Sequence, residues 1–270
     1  EVWAAIRDFD GGIGSNDESL QLLSYSSRRE NLINQLIGAV MQVGIDGINV
    51  DFEKISKDCG VHYIQFIREL SVKCRQNGIV LSVDNYVPKG YNQQYNRKEQ
   101  GVMADYVIIM GYDEHNGSSL EAGSVSSYEF VKEGIEETIK EVPAEKVISG
   151  IPFFTRLWSE TPKTQEELNQ EAGTEAADYP MKVTSEALGM STARDKISQA
   201  GAETTLDETT GNNYATWEAD GVTYEIWLED ATSIEPKLQL MKENKLAGTA
   251  AWALGQESSD IWNLILKYVN

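Results

Sequence analysis

The stretch GIDGINVDFEKIS, residues 44–56, decides the fold. Apolar and polar side chains alternate along its middle, in the order Ile48, Asn49, Val50, Asp51, Phe52 and Glu53. A strand with one face in water shows this period of two. The stretch nevertheless lies between two segments with helical periodicity, where a strand is expected to be buried on both faces. Its polar side therefore needs an explanation other than exposure to solvent.

Strands and helices alternate through most of the chain. The segments that we predict to be strands are residues 2–7, 45–52, 79–85, 105–113, 146–154 and 247–254. Apolar residues at helical spacing predict helices between them, two of which, over 26–44 and 61–78, end at a glycine. This alternation predicts an α/β fold with a parallel sheet, either doubly wound or closed as a (β/α)8 TIM barrel. A barrel has eight strands and only six are predicted here, so two strands either lack a recognisable sequence pattern or are absent from the chain.

The alternation stops between about residue 155 and residue 223, where the sequence is polar and rich in Thr and Glu. We expect a small α+β insertion over 155–225, within a barrel domain formed by 1–154 and 226–270. The dipeptide Asp220-Gly221 lies between two runs of aromatic and β-branched residues, which predicts a hairpin over 212–227.

The composition narrows the class of partner. The chain of 270 residues carries a formal net charge of −20 and has no apolar run long enough to span a membrane. So acidic a protein should repel nucleic acid and anionic membranes, and we expect a neutral or cationic partner. Cys59 and Cys74 lie at opposite ends of about 22 Å of predicted helix, too far apart for a disulfide. The cysteines and histidines form no metal-binding pattern, so no metal or other cofactor is expected.

Asn49, Asp51 and Glu53 should share one face of their strand, because side chains alternate along a strand. The Cα atoms of Asp51 and Glu53 would then be about 6.6 Å apart. Two carboxyls this close do not ionise together easily, so the pKa of one should be raised, giving a general acid able to protonate a glycosidic oxygen. Alternatively, the acids cap the following helix or pair with Lys54 or with arginines, since D-x-E occurs often by chance.

Four short motifs occur in order along the chain: DGINVDFE (46–53), MGYDEH (110–115), IPFFTR (151–156) and AAWALGQE (250–257). They resemble the DGxDxDxE signature of glycoside hydrolase family 18, its M-x-Y-D after strand six, its P-F-Y-G-R of strand seven and its strand-eight tryptophan. The family contains chitinases and related β-N-acetylglucosaminidases. The chain is most similar to its bacterial branch of spore-cortex and peptidoglycan N-acetylglucosaminidases.

The resemblance implies the roles of the two acids. Glu53 would be the catalytic acid and base, and Asp51 would steady the acetamido group of the substrate while its carbonyl oxygen attacks the anomeric carbon. The intermediate would be an oxazolinium ion and the configuration would be retained, which is the substrate-assisted exception to the rule of two catalytic carboxylates. The substrate contacts that the resemblance implies are Asn49, Met110, Tyr112, Asp113, Arg156 and Trp252, with Tyr112 bonding the acetamido oxygen and Trp252 forming the floor of the sugar site.

The chain departs from the family pattern in three places. Asn49 stands where many chitinases have Asp, and Phe154 stands where the family usually has Tyr. Family members also begin with two strands before the one that resembles residues 2–7, so we expect the chain to lack its first two strands and to begin, at Glu1, as a processed or excised piece. An open sheet edge of that kind could support self-association.

The resemblance also implies the setting of the activity. The expected partner is a polysaccharide containing N-acetylglucosamine, and the expected location is secreted, at the cell wall or the spore. A non-catalytic, lectin-like saccharide-binding protein with the same barrel is the alternative, although such relatives usually lack the acid that Glu53 provides. A doubly wound binding protein of another family is a third hypothesis and predicts an open sheet.

Overall fold

The computed structural model describes residues 1–8 and 16–269, which form two compact units. Unit 1 consists of Glu1–Met110, Gly134–Ser149 and Asn244–Gly248. Unit 2 consists of Gly111–Glu133, Gly150–Glu243 and Thr249–Asn270.

The strands of the described residues form one six-stranded and one five-stranded sheet. Their bounds are β1 Trp3–Arg7, β2 Gly47–Asp51, β3 Val80–Tyr86, β4 Tyr106–Met110, β5 Val147–Pro152, β6 Phe154–Pro162, β7 Met181–Gly189, β8 Thr205–Asp207, β9 Asn212–Ala219, β10 Val222–Leu228 and β11 Gly248–Trp252.

The helices connect these strands. Their bounds are α1 Asn16–Leu23, α2 Ser26–Val43, α3 Gly60–Asn77, α4 Arg97–Met103, α5 Tyr128–Ile139, α6 Gln165–Gln170, α7 Met190–Ala200, α8 Ala231–Glu243 and α9 Ile261–Val269. The two longest, α2 and α3, end at Gly44 and Gly78, whose φ angles of 76° and 67° lie in the left-handed region that glycine adopts without strain.

The six-stranded sheet runs in the order β1-β2-β3-β4-β5-β11, which is also the order of the strands along the chain. The pairs β1–β2, β2–β3 and β3–β4 are parallel. In a doubly wound sheet, strands are added first on one side of the first strand and then on its other side. The order of strands across such a sheet therefore differs from their order along the chain. The singly wound order is that of a TIM barrel, which confirms the predicted fold class. β5 and β11 each begin in unit 1 and end in unit 2.

The core of unit 1 explains the alternation in the stretch 44–56. Ile48 and Val50 of β2 are completely buried, in one cluster with Ile67 and Leu70 of α3. The apolar side of β2 therefore packs against the helices, as the sequence predicts. Its polar side belongs to the other face of the sheet.

The five-stranded sheet lies in unit 2 and is antiparallel, in the order β7-β6-β10-β9-β8. Its apolar side packs on α7, with Leu157, Ile197 and Ile226 in one cluster. The predicted hairpin is present as β9 and β10, and Asp220 and Gly221 at its turn both have positive φ. The sheet covers nearly the predicted insertion of 155–225, but the two compact units divide the chain differently, so the domain boundaries stay a prediction.

The segment 146–154, predicted as one strand, is divided in the structure. β5 ends at Pro152, and Phe154 begins β6 in the antiparallel sheet. Both cysteines are buried and unbridged, as their predicted separation requires. Within residues 1–8 and 16–269, no helix has the length and apolarity needed to cross a membrane.

Candidate active site

The carboxyl end of β2 carries the predicted acids of unit 1. The side chains of Asn49, Asp51 and Glu53 lie on the side of the strand opposite that of the buried Ile48 and Val50. Asp51 is buried, with 9% of its surface exposed, whereas Asn49 and Glu53 are half-buried. The carboxyl ends of parallel strands are where the catalytic groups of TIM barrels lie.

The neighbouring strand β3 adds polar side chains that the sequence analysis missed. Asn49 pairs with Ser82 in the register of the two strands, and its Nδ2 donates to Ser82 Oγ (3.0 Å) and to Asp84 Oδ1 (2.9 Å). The hydroxyl of Tyr86 donates to Glu53 Oε2 at 2.5 Å. The signal was present, because Ser82, Asp84 and Tyr86 repeat the period of two shown by the acids on β2.

Asp8, just beyond β1, fixes the backbone that leaves β2. Its carboxylate accepts the backbone N–H of Glu53 (2.9 Å) and that of Lys54 (2.8 Å), and also the hydroxyl of Ser19 (3.3 Å). The main chain at Glu53 is therefore held from outside its own strand. No local sequence pattern indicates this contact, which joins residues 45 positions apart.

Burial and like charges raise the pKa values of this group of acids. Burial is the main cause that raises the pKa of Asp51 to about 6, and nearby Glu53 and Asp8 add to the rise while Arg7 opposes it. Burial also raises the pKa of Asp84 to about 7, with Asp51 and Glu53 adding to it and the bond from Asn49 opposing it. Asp51 and Asp84 therefore keep their protons to a higher pH than exposed carboxyls do, chiefly because they are buried.

Two further details mark Asp51 and Tyr86. Asp51 Oδ1 is buried and has no hydrogen-bond partner among the described residues. Burial, and then the hydrogen bond to Glu53, raise the pKa of Tyr86 far above its ordinary value, so the phenol stays protonated and remains a donor.

The other predicted substrate contacts, apart from Met110, lie in unit 2. Met110 is buried at the end of β4 in unit 1. Tyr112 is half-buried and packs edge-on against Phe154, with ring centroids 6.0 Å apart. Asp113 is exposed and has a φ of 61°.

Arg156 and Trp252 complete the predicted set in unit 2. Arg156 lies on β6, where its Nη1 donates to Ser185 Oγ at 3.1 Å. Trp252 ends β11 with half of its surface exposed, and its carbonyl oxygen accepts the backbone N–H of Phe153. An exposed indole face of this kind can stack on a sugar ring. The structure thus groups Asn49 and Asp51 on β2 with Glu53 just beyond its carboxyl end, and the roles of all the predicted site residues stay predictions.

Two other tryptophans of unit 2, Trp158 and Trp227, make contacts within that unit. Trp158 is completely buried, and its Nε1 donates to the carbonyl of Gly123. Trp227 packs against Tyr214 and donates to Asp207. In the part of the chain that the structure describes, no group of three or more His, Cys, Asp or Glu side chains could hold a metal ion.

A comparison with family models decides the family, because the model of the glycosyl hydrolases family 18 matches residues 11–257. The chain belongs to glycosyl hydrolases family 18. An uncharacterized glycosylase, YvbX, of Bacillus subtilis (strain 168) is 27% identical to this family 18 chain over 97% of its length. The cortical fragment-lytic enzyme of the same organism is 26% identical over 98% of the chain.

A solved structure shares the fold of this chain. The chitinase of Chromobacterium violaceum ATCC 12472 superposes with a TM-score of 0.84 at 23% identity, over 99% of this chain and 79% of that one. The family 18 chain spans 71% of the Bacillus subtilis glycosylase but only 58% of the cortical fragment-lytic enzyme.

Proposed function

We propose that the chain is a retaining, substrate-assisted glycosidase that cleaves β-linked N-acetylglucosamine polymers. The observation that carries this proposal is the pair of acids at the carboxyl end of β2, in which Asp51 is buried and Glu53 accepts a hydrogen bond from Tyr86. Membership of family 18 supports the class of reaction.

Glu53 is the proposed acid and base. It is half-buried, its backbone is held by Asp8, and its carboxyl oxygen is bound by Tyr86. These contacts fix the carboxyl so that its proton can pass to the glycosidic oxygen as the bond to the anomeric carbon breaks. The resulting carboxylate then removes a proton from the water that opens the intermediate.

Asp51 is the proposed partner of the substrate's acetamido group. Its raised pKa, and an Oδ1 that no described residue bonds, leave a carboxyl ready to bind the acetamido N–H. Held there, the acetamido carbonyl oxygen attacks the anomeric carbon and forms the oxazolinium ion, so the protein needs no separate nucleophile. Tyr112, Asp113, Arg156 and Trp252 are proposed sugar contacts on the strength of their motifs.

The proposed substrate is peptidoglycan of the spore cortex or a related wall polymer, with chitin as the other member of the class. The similarity to the cortical fragment-lytic enzyme favours this class, and the formal net charge of −20 disfavours nucleic acid as the partner. A location at the cell wall or the spore follows from the same substrate.

Turnover of N-acetylglucosamine oligomers and cortex fragments tests the proposal. Glu53→Gln should lower kcat by about a thousand-fold, because it removes the proton donor while keeping the acceptor for Tyr86. Glu145→Gln, at an exposed glutamate of unit 1, is the matched control and should retain activity. Release of new reducing ends is the measurement. Binding of these oligomers without turnover by the unmutated protein would instead indicate a lectin-like protein.

A further inference from the structure

Four polar side chains lie behind the end of β3, each at most 2% exposed: Asn85, Asn92, Arg97 and Gln100. Arg97 and Gln100 are three positions apart at the start of α4, so they share one face of that helix. Asn85 belongs to the row of β3 side chains that faces the helices, in which Leu81 and Val83 are apolar. Its amide and that of Gln100 bond each other reciprocally. The layer behind the end of β3 is therefore polar where apolar packing is expected.

Arg97 binds the backbone at the point where the chain leaves β3. Its Nη2 donates to the carbonyl oxygen of Tyr86 at 3.0 Å and to Asn92 Oδ1 at 2.9 Å. Asn92 Nδ2 donates in turn to the carbonyl oxygen of Val87, also at 2.9 Å. Arg97 thus holds Tyr86 directly, and the residue after it through Asn92.

The end of β3 needs support from outside β2. β2 pairs with β3 as far as Val50 and Val83, whereas β4 pairs with it as far as Met110 and Tyr86. The last three residues of β3 therefore extend past the pairing with β2. The Tyr86 hydroxyl nevertheless donates to Glu53 Oε2, just beyond β2, at 2.5 Å. So short a bond requires that the backbone of Tyr86 be fixed by other contacts.

Resting on the proposed function, we propose that Arg97 is a positioning residue of the acid site, which holds the backbone of Tyr86 so that its hydroxyl stays on the carboxyl of Glu53. The ring of Tyr95 packs edge-on against that of Tyr86, with centroids 6.2 Å apart, and restricts its rotation. The helix α4, which the four family motifs do not include, thereby acts on the proposed proton donor through β3.

The surroundings of Arg97 argue against a purely stabilising role. Both bonds of its Nη2 go to uncharged oxygens, and its Nε is buried without a hydrogen-bond partner among the described residues. Burial lowers the pKa of Arg97 to about 10, which the charge of the exposed Glu141 opposes. By contrast, the buried Arg29 makes two bonds of 3.0 Å to the carboxylate of Glu69. A buried cation that lacks such a partner is destabilising, and proteins retain features of this kind mainly at functional sites.

A double-mutant cycle with Tyr86→Phe tests the proposal, and kcat for one N-acetylglucosamine oligomer is the measurement. Arg97→Met keeps an unbranched side chain but removes the donors, and should lower kcat about five-fold, the change expected for one lost hydrogen bond. In Tyr86→Phe the hydroxyl is already absent, so adding Arg97→Met should lower kcat by less than about two-fold. Equal losses in the two backgrounds, or no loss in the first, would overturn the proposal, because a structural role does not depend on that hydroxyl.

Arg29→Met is the matched control. Arg29 is also a buried arginine of unit 1 that donates to a backbone carbonyl oxygen, that of Leu23, but it lies on α2. Its replacement should lower the melting temperature and leave kcat within about two-fold of the unmutated value. A loss of kcat as large as that in Arg97→Met would show that kcat merely follows stability, and would count against the positioning role.

Arg97→Lys is the second variant, for the case that Arg97→Met does not fold, as judged by circular dichroism. It keeps the charge, but a lysine Nζ lies one atom short of Nη2, so the bond to the carbonyl oxygen of Tyr86 is lost. The same dependence on the Tyr86 hydroxyl is expected in the cycle, and its absence would overturn the proposal. If neither variant folds, Arg97 maintains the fold itself and the proposal fails.

The distance between Tyr86 Oη and Glu53 Oε2 is a readout that does not depend on activity. In a crystal structure of the Arg97 variant that folds, we expect this distance to rise from 2.5 Å to more than about 3.2 Å, beyond an ordinary hydrogen bond. A distance that stays below that limit would overturn the proposal. If the unmutated protein has no turnover, the proposed function fails, and this distance then still tests whether Arg97 positions Tyr86.

Discussion

Two buried carboxyls, one in each unit, are treated in opposite ways. Glu229 of unit 2 is 2% exposed, and both of its oxygens accept hydrogen bonds from Lys237 Nζ, at 3.2 Å and 2.9 Å. Asn212 and Ser233 donate to it as well, at 3.0 Å and 2.8 Å. Burial raises the pKa of Glu229, and Lys237 opposes that rise. Each oxygen is satisfied, and the charge has an opposite charge beside it.

Asp51 of unit 1 has the contrary surroundings. Its Oδ1 is buried without a partner among the described residues, and two of the charges that shift its pKa, those of Glu53 and Asp8, are negative. A fully paired buried carboxylate holds elements together, whereas a buried carboxyl among like charges is poised to exchange protons. The comparison therefore separates carboxyls that stabilise this fold from those we propose to act on substrate.

The largest effect on stability should come from breaking the buried ion pair between Lys237 and Glu229. Lys237→Met keeps most of the volume of the side chain but leaves Glu229 as an unpaired buried acid, which should cost about 3–5 kcal/mol of the free energy of unfolding. Urea denaturation measures the change. Lys140→Met is the control, since its partner Glu137 and Lys140 itself are both largely exposed and the change should be below about 0.5 kcal/mol. A loss below about 1 kcal/mol for Lys237→Met would show that the pair does not stabilise the fold.

Replacing Asp51 should have a smaller effect on stability, and of opposite sign. Its folded pKa of about 6 lies above the ordinary 3.8, so the stability that it contributes is present below about pH 4 and is lost as the pH rises through 6. Asp51→Asn should therefore gain stability relative to the unmutated protein on going from pH 5 to pH 8, by about 1.4 kcal/mol, while kcat falls about a hundred-fold.

Thermal unfolding of Asp51→Asn and of the unmutated protein at the two pH values measures that gain. The control is Asp58→Asn, at an exposed carboxyl of unit 1. If the difference in melting temperature between Asp51→Asn and the unmutated protein is the same at pH 5 and pH 8, the pKa of Asp51 is not raised by the fold. The contrast drawn between Asp51 and Glu229 would then be wrong.

The smallest effect should come from removing the Tyr86 hydroxyl, which donates a hydrogen bond to Glu53. Tyr86→Phe removes one hydrogen bond of 2.5 Å and should lower kcat about ten-fold, because one charge-assisted hydrogen bond is worth roughly 1.5 kcal/mol. Tyr63→Phe is the matched control, since the Tyr63 hydroxyl is buried and has no hydrogen-bond partner among the described residues. Steady-state kinetics on one oligomer compare the two, and equal kcat values would exclude a role for the Tyr86 hydroxyl.

The sequence predicted those features that depend on local periodicity. The period of two in residues 48–53 placed Asn49, Asp51 and Glu53 on one face, and the six strands of the parallel sheet follow from the alternation of strands and helices. Asp220-Gly221 predicted the hairpin because a turn with two positive φ angles selects these residues. The family likewise followed from four motifs read in order.

The features that were missed depend on contacts between distant segments. Asp84 and Tyr86 gain their importance only from the register of β3 on β2, and Asp8 only from its reach to the backbone at Glu53. The break between β5 and β6 at Phe153 was hidden because both sides are apolar. The helix α1 and the strand β7 carry no periodicity strong enough to predict them.

Two buried cysteines, Cys59 directly before α3 and Cys74 within it, can report the opening of this helix. Burial raises the pKa of the thiols to about 11 for Cys59 and about 12 for Cys74. Thiol reagents attack the thiolate, which at pH 8 is then about a thousandth or less of either population. The rate at which such a reagent modifies the folded protein therefore measures how often this helix leaves the sheet, without any label being introduced.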